Sequence, residues 1–136
     1  MLSKDEILDL RKPKVQPLTL PGGGEVFLRV MTGVDRDSFE AGNYREVGGK
    51  VKFDLSNARA RLAVRVLCDA AGKRLFGDAD AGQVGQIDAV TLDAIYTAAR
   101  TLNRMGAKEE EEDRKLFGPA QSEGSGSDSP ASSDAA

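Results

Sequence analysis

The amino-acid sequence predicts an α+β fold that is mainly α-helical, with a small β-hairpin, three to five helices and a disordered acidic C-terminal tail. Residues 54–72 and 88–105 carry apolar side chains at helical spacing, which predicts two amphipathic helices. A glycine cluster at residues 22–24 separates two apolar runs, which predicts the hairpin. The final stretch is dominated by Glu, Ser, Gly, Asp and Ala and is too polar to form a core. We therefore expect a folded domain over residues 1–106 and a disordered tail over residues 107–136.

A capping box predicts the first helix. Ser3 lies three residues before Glu6, so each side chain can accept a hydrogen bond from a backbone donor of the first helical turn. The helix is expected to continue to about Arg11, and Pro13 ends it because the residue before a proline disfavours helical geometry.

The predicted hairpin pairs residues 15–20 with residues 25–31, both rich in apolar side chains and bounded by turn residues. The intervening glycines supply the positive φ angles that a chain reversal needs. Pro17 cannot donate a ladder hydrogen bond, so the first strand is expected at a sheet edge.

A second helix is predicted over residues 33–45. Thr32 lies three residues before Asp35 and can cap it, and the helix would direct Phe39 toward the core. Residues 47–50 then interrupt the helical pattern with two consecutive glycines.

The third helix is predicted to be capped by Asp54 and ended by Gly72. We expect Arg61 and Arg65 on its solvated face, with Asp69 as a candidate partner for Arg65. The expected apolar face consists of Leu55, Leu62, Ala63, Val66 and Ala70.

A fourth helix is predicted over residues 88–105, with Asp88 as its cap. Between the third and fourth helices, residues 78–85 are expected to hold one or two short helical turns. The apolar face of the fourth helix is expected to contain Ile95, Ala98, Leu102 and Met105.

The side-chain inventory argues against catalysis. The chain has no histidine, so Cys68, its single cysteine, cannot form a Cys/His pair or an internal disulfide. Carboxylates alone remain as metal ligands, and they do not follow the spacing of a calcium loop. We therefore expect no enzyme, no cofactor and no metal.

Charge and hydropathy limit the range of partners. Residues 107–136 carry eight acids and three bases, so residues 1–106 have a net charge of +2 although the whole chain has −3. This balance is too weakly basic for tight nucleic-acid binding. No apolar run approaches the ~20 residues that span a bilayer, and the first residues lack a signal-peptide pattern. A soluble, cytoplasmic protein that binds neither membrane nor nucleic acid is expected.

Two motifs have alternative interpretations. Residues 21–24 could be a phosphate-binding loop, but no Gly-Lys-Ser/Thr follows and a strand pattern stands where a helix is required, which favours a hairpin turn. The arginines could form a nucleic-acid patch or simply a solvated helix face. No aromatic residue lies between them to stack on bases, which favours the solvated face. The arginines concerned are Arg59, Arg61, Arg65 and Arg74.

Three phrases resemble a known family. They are LRVMTGVDRDSFE at residues 28–40, NARARL at residues 57–62 and DAAGKRLF at residues 69–76. Together with the capped first helix, the hairpin and a turn flanked by Asp78 and Asp80, they resemble the tail assembly chaperone family of long-tailed, siphovirus-type bacteriophages. The resemblance covers residues 1–106.

The resemblance implies a function without catalysis. Such chaperones coat the tape-measure protein, keep its hydrophobic helices soluble and recruit tail-tube subunits, and they are absent from the finished virion. They act in the host cytoplasm, and some are made in two forms by a ribosomal frameshift, of which this chain would be the shorter. The alternatives are a structural head–tail adaptor or minor virion protein, and a small nucleic-acid-binding regulator. Self-association around the partner is a further possibility.

Apolar helix faces are the candidate partner-binding surface, since a groove between helices can receive an amphipathic partner helix. The same apolar residues can instead form the core, which is the preferred interpretation because a small domain needs most of them inside. The candidate residues are Leu55, Arg61, Leu62, Arg65, Val66, Ile95, Leu102 and Met105.

Overall fold

A computed structural model describes residues 1–106 of the chain. Of the described residues, 44% are helical and 20% lie in strands, so the fold is mixed α+β. Residues Met1–Asn103 form one compact unit, and residues 104–106 lie outside it. The predicted disordered tail, residues 107–136, lies outside the described residues.

The described chain contains five α-helices and five β-strands. The helices are α1 (Lys4–Leu8), α2 (Gly33–Ala41), α3 (Ala58–Val66), α4 (Ala81–Val84) and α5 (Ala89–Leu102), with 3-10 turns at Asp9–Arg11 and Asp78–Asp80. The strands are β1 (Val15–Thr19), β2 (Glu25–Arg29), β3 (Tyr44–Val47), β4 (Lys50–Phe53) and β5 (Leu67–Cys68).

The predicted hairpin is confirmed as strands β1 and β2, which pair antiparallel from Val15 opposite Arg29 to Thr19 opposite Glu25. Pro17 lies in β1, an edge strand of the three-stranded sheet β1-β2-β5, as its missing N–H requires. The short strand β5 pairs antiparallel with the other edge of β2, with Phe27 opposite Cys68. The central strand therefore holds the sheet together.

Helix α3 lies at the centre of the core. Six of its nine residues are buried, which is more than one apolar face, as expected of a helix enclosed on several sides. It packs on α5, whose inward residues Leu92, Ile95 and Ala99 are buried, and on α4 and α2. The predicted cap of α5 is confirmed, because the Asp88 carboxylate accepts a hydrogen bond from the Thr91 backbone N–H at 2.9 Å. The short turns predicted over residues 78–85 are also present.

The second helix ends earlier than predicted, and a second hairpin that the sequence analysis missed takes its place. Helix α2 stops at Ala41, and strands β3 and β4 pair antiparallel across Gly48 and Gly49, whose φ angles are +59° and +79°. Two consecutive positive φ angles are the geometry of a tight two-residue hairpin turn. KVKF has the period-two alternation of a strand, but YREV does not alternate, and its first two residues fell within the helical prediction over residues 33–45.

The predicted start of the third helix was wrong. Helix α3 begins at Ala58, after Asn57 with a left-handed φ of +54°, and Asp54 caps no helix. The Asp54 carboxylate instead accepts a hydrogen bond from the Ser56 N–H at 2.8 Å, a local turn that competes with helix formation. Leu55, expected on the apolar face, lies before the helix and is 52% exposed.

The predicted end of the third helix was also wrong. The helix stops at Val66, because the following residues extend to pair with β2 as strand β5. The carboxylate of Asp69 accepts hydrogen bonds from the N–H groups of Ala71 and Lys73, both at 2.9 Å, and closes a turn. Gly72 therefore lies in this turn with φ +89° and does not end the helix.

Replacing Gly72 by alanine is expected to destabilise the protein by about 2–4 kcal/mol, because strain at positive φ is joined by a steric clash. A Cβ atom at this position would lie 2.4 Å from the Pro13 side chain. Gly23→Ala is the matched control, since its φ is +91° and nothing lies within 4 Å of the added atom. Urea denaturation of both variants measures the difference. Equal losses would show that the contact with Pro13 does not constrain the turn.

Candidate protein-binding surfaces

Five charged residues form a connected network around the end of β2 and one side of α3. Arg74 lies at its centre, with Nη2 at 2.7 Å from the Asp78 carboxylate and Nη1 at 3.9 Å from that of Asp35. Asp35 also accepts a hydrogen bond from Arg29, and Arg65 reaches Asp78 at 3.3 Å. The network therefore connects β2, α2, α3 and the turn before α4.

Arg65 lies inside the structure, contrary to its predicted place on a solvated face. It is 8% exposed, and its guanidinium donates to the Arg61 carbonyl and the Ser38 hydroxyl, both at 3.1 Å. Its guanidinium carbon also lies 5.9 Å from the ring centre of Phe39. Helix α2 packs on this side of α3, so the helix face that the sequence predicted to be solvated is buried at Arg65. Asp69, the predicted partner of Arg65, instead accepts hydrogen bonds from backbone N–H groups of its own turn.

Arg61 lies beside Arg65 but is half-buried. Its Nε donates to the Ser56 carbonyl at 3.1 Å, and its guanidinium carbon is 5.6 Å from the ring centre of Phe39. Both arginines therefore contact one aromatic ring, and their hydrogen bonds to backbone oxygens offset the repulsion expected at i, i+4.

Asn103 fixes the end of α5 to the sheet, a role that the sequence did not suggest. Its side-chain oxygen accepts from the Met31 N–H at 2.7 Å, and its amide donates to the Ala99 carbonyl at 3.0 Å. Its own carbonyl accepts from Arg36 at 2.9 Å. Asn103 is buried, so these bonds satisfy groups that would otherwise be costly to bury.

The network lowers the pKa of both of its aspartates. Burial alone would raise the pKa of Asp35, but the hydrogen bond and positive charge of Arg29 outweigh it and hold the pKa below its ordinary value. The hydrogen bond from Arg74 is the main cause of the lowered pKa of Asp78, with the charge of Arg65 adding to it. Both carboxylates therefore stay ionised in the folded state at neutral pH.

The N-terminal arm, α1 with the 3-10 turn at Asp9–Arg11, exposes apolar side chains instead of burying them. The capping box of α1 is confirmed, with Ser3 and Glu6 bonded at 2.9 and 3.2 Å, yet neither segment has a buried residue. Ile7 is 52% and Leu10 60% exposed. Side chains of this size are usually inside a small domain, so a run of them outside it indicates an interaction surface.

A groove lies between this arm and the end of β2. Its volume is about 500 Å³, within the range of ligand and peptide sites. Its apolar lining comes from Ile7, Leu10, Pro13, Val30 and Met31, and its charged lining is wholly basic, from Arg11, Lys12, Lys14 and Arg29. We call this the N-terminal groove. Its combination of apolar and positive groups suits an amphipathic, acidic segment.

A second, smaller groove of about 390 Å³ lies where the starts of α3 and α5 meet. It contains Leu55 and Ile87, both partly exposed, and the half-buried Tyr96. Arg59 lines it and pairs with Asp93, so its positive charge is already compensated.

The structure divides the residues predicted to bind a partner. Leu62, Val66 and Ile95 lie in the core with Arg65, which favours the interpretation that they stabilise the fold. Leu55 is exposed in the smaller groove, and Arg61 and Leu102 are half-buried. Met105 lies outside the unit Met1–Asn103. Whether any of them contacts a partner stays a prediction. The exposed arm was not singled out, although its capping box and its leucines were visible in the sequence.

The remaining chemistry of the described residues is sparse. Cys68 is buried, and this burial raises the pKa of its thiol. Within residues 1–106, no three metal-ligating side chains lie close enough together to hold an ion. In the same range, every helix is too short or too polar to cross a membrane.

Comparison of the sequence with protein-family models found no matching family, and comparisons with curated proteins and with solved structures found no match either. Function is therefore inferred from the surfaces described above and from the sequence phrases.

The lowered pKa values of Asp35 and Asp78 predict a stability that depends on pH. A carboxyl whose folded pKa is depressed contributes stability above its unfolded pKa, here 3.8, and loses it as pH falls through the folded value. Urea midpoints should therefore be nearly constant from about pH 7 to about pH 5 and decrease below about pH 4. Asp35→Asn should reduce this decrease, whereas Asp37→Asn, on the same helix but outside the network, should not. An equal decrease in all three proteins would contradict the assignment to Asp35.

Arg65→Ala is expected to destabilise the protein by about 2–4 kcal/mol, because it removes a buried group that has several hydrogen bonds and packs on Phe39. Arg59→Ala is the control on the same helix. Arg59 and Asp93 are both more than half exposed, so their ion pair should contribute less than about 1 kcal/mol. Chemical denaturation measures both losses, and similar small losses would mean that Arg65 does not hold α2 against α3.

Proposed function

We propose that this protein is a bacteriophage tail assembly chaperone, which binds the tape-measure protein, keeps it soluble and recruits tail-tube subunits during tail assembly. The observation that carries the proposal is the N-terminal groove, in which exposed apolar side chains lie beside basic ones outside the core. The sequence phrases at residues 28–40 and 69–76, which resemble that family, support it independently.

The groove suits an amphipathic helix of the partner. Such a helix would place its apolar stripe on the exposed Ile7, Leu10 and Pro13, while acidic residues beside the stripe approach the exposed Arg11, Lys12 and Lys14. The arm is held mainly by its own local hydrogen bonds, so it can adjust to different partner segments. A chaperone of a long, variable polypeptide needs this tolerance.

A single groove of this size implies weak binding, which is consistent with release at the end of assembly. Many copies along one partner gain from effective concentration, so the assembled complex can be stable although each contact is weak. The exposed lysines also make each contact sensitive to salt. We propose that the protein acts in the host cytoplasm and leaves before the virion is complete.

Co-expression with the tape-measure protein of the same phage tests the proposal. The chain should keep that protein in the soluble fraction and co-purify with it. The double variant Ile7→Asp, Leu10→Asp should lose at least about tenfold in binding, since two apolar contacts are replaced by charges that desolvate poorly. Both residues are exposed, so its urea midpoint should be unchanged.

Val90→Asp is the matched control, because Val90 is 66% exposed on α5 and does not line the groove. It should bind as the unaltered protein does. An insoluble tape-measure protein in the presence of the unaltered chain would refute the proposed function. Normal binding by the double variant would instead refute the N-terminal groove as the site.

A further inference from the structure

The hairpin of strands β3 and β4 projects two chemically different faces. Alternation along the strands and their register place Tyr44, Glu46, Val51 and Phe53 on one face, and Arg45, Val47, Lys50 and Lys52 on the other. The first face is mostly apolar, with the rings of Tyr44 and Phe53 packed at 5.3 Å. The second face has three positive charges and no negative one. All residues of both strands are exposed.

The hairpin is well fixed at both ends but has no further strand beside it in the described chain. Gly48 and Gly49 define the turn, and at the base the Asp54 N–H donates to the Asn43 carbonyl at 2.5 Å. Arg45 adds an ion pair to Asp54 at 3.2 Å. A two-stranded sheet without a covered face is only marginally stable in water, so these strands gain from an additional strand.

The register decides which backbone groups point outward. In a two-residue hairpin the pair next to the turn, Val47 and Lys50, is bonded across the ladder, and bonded pairs alternate with unbonded ones. The N–H and C=O groups of Val51 and Phe53 therefore point away from β3. They form the outer edge of β4, ready to pair with another strand.

We propose that the outer edge of β4 binds an extended segment of another protein, in which acidic and apolar residues alternate, as a third strand. Next to β4, every second side chain of the added strand would contact Val51 and Phe53, and the others would lie beside Lys50 and Lys52. Apolar side chains satisfy the first set and carboxylates the second. The partner is thus defined by its period of two and its negative charge.

The other edge and a second copy of this chain are poorer choices. The outer edge of β3 presents Glu46 on the apolar face and Val47 on the charged face, so it matches no simple alternation. Pairing β4 with β4 of a second copy would place Lys50 and Lys52 beside the same lysines, and like charges across strands are destabilising. This binding site is separate from the N-terminal groove and does not depend on the proposed function.

Binding of short peptides to the full-length protein tests the inference. The probe is a fluorescent octapeptide with blocked ends in which glutamate alternates with valine, and binding is measured by anisotropy. A peptide of the same composition with its glutamates and valines in two blocks is the control. The alternating peptide should bind about tenfold more tightly or better, because only it matches both faces. Equal affinities would overturn the proposal.

Proline substitutions locate the edge. Val51→Pro removes an outward N–H without breaking a bond within the hairpin, and should weaken binding of the alternating peptide about tenfold or more. Glu46→Pro makes the same change on the opposite edge and should leave binding unchanged. The cross-strand contact of Tyr44 with Phe53, followed by NMR, reports that the hairpin persists in each variant. Equal effects of the two prolines would overturn the assignment to β4.

Changes to the peptide keep the test decisive even if a proline disturbs the hairpin. N-methylation of one alternate set of peptide residues removes the hydrogen bonds to β4 and should abolish binding, whereas methylation of the other set should have little effect. Equal loss with both sets would argue against strand addition.

Lys50→Glu combined with Lys52→Glu should weaken binding about tenfold or more, whereas Lys73→Glu should not. A dimer in sedimentation that Val51→Pro dissociates would replace the proposed partner by a second copy.

Discussion

The fold depends on the arginine–aspartate network that has Arg74 at its centre. The end of α3, the start of α2 and the turn after β5 meet at this point. Arg74 donates two hydrogen bonds to the Val64 carbonyl, at 2.9 and 3.1 Å, which satisfies a helix end that would otherwise be buried without a partner. At this junction, charged hydrogen bonds therefore hold the elements together, whereas side-chain packing holds α3 against α5.

With this arrangement, some apolar residues elsewhere in the fold are not needed in the core. Because α3, α5 and strand β2 supply the core, the N-terminal arm and the second hairpin contribute almost nothing to it, and their apolar side chains remain at the surface. The charged residues that line the N-terminal groove are basic, and one face of the second hairpin carries Arg45, Lys50 and Lys52. Positive charge therefore lies beside exposed apolar groups at both surfaces, which favours acidic, amphipathic partners over neutral ones.

The two surfaces differ in the partner geometry they can accept. The N-terminal groove is a concave site bounded by a short, locally held helix, and the partner proposed for it would contact it with one face of a helix. The partner proposed for the edge of β4 would be held first by backbone hydrogen bonds and second by side chains in strict alternation. If both proposals hold, one small protein would bind a helical and an extended segment at the same time.

The sequence alone determined those features whose signals are local, namely the helix caps and a tight turn. The capping box at Ser3, the caps at Thr32 and Asp88, and the glycine turn of the first hairpin act over a few residues, so their signals could be read directly. The ends of α3 could not, because Leu67 and Cys68 leave the helix to pair with β2, a strand that lies about forty residues earlier in the chain. Only the tertiary structure decided that Arg65 is buried and Ile7 exposed, since burial depends on which elements pack together, and periodicity alone does not specify that partner.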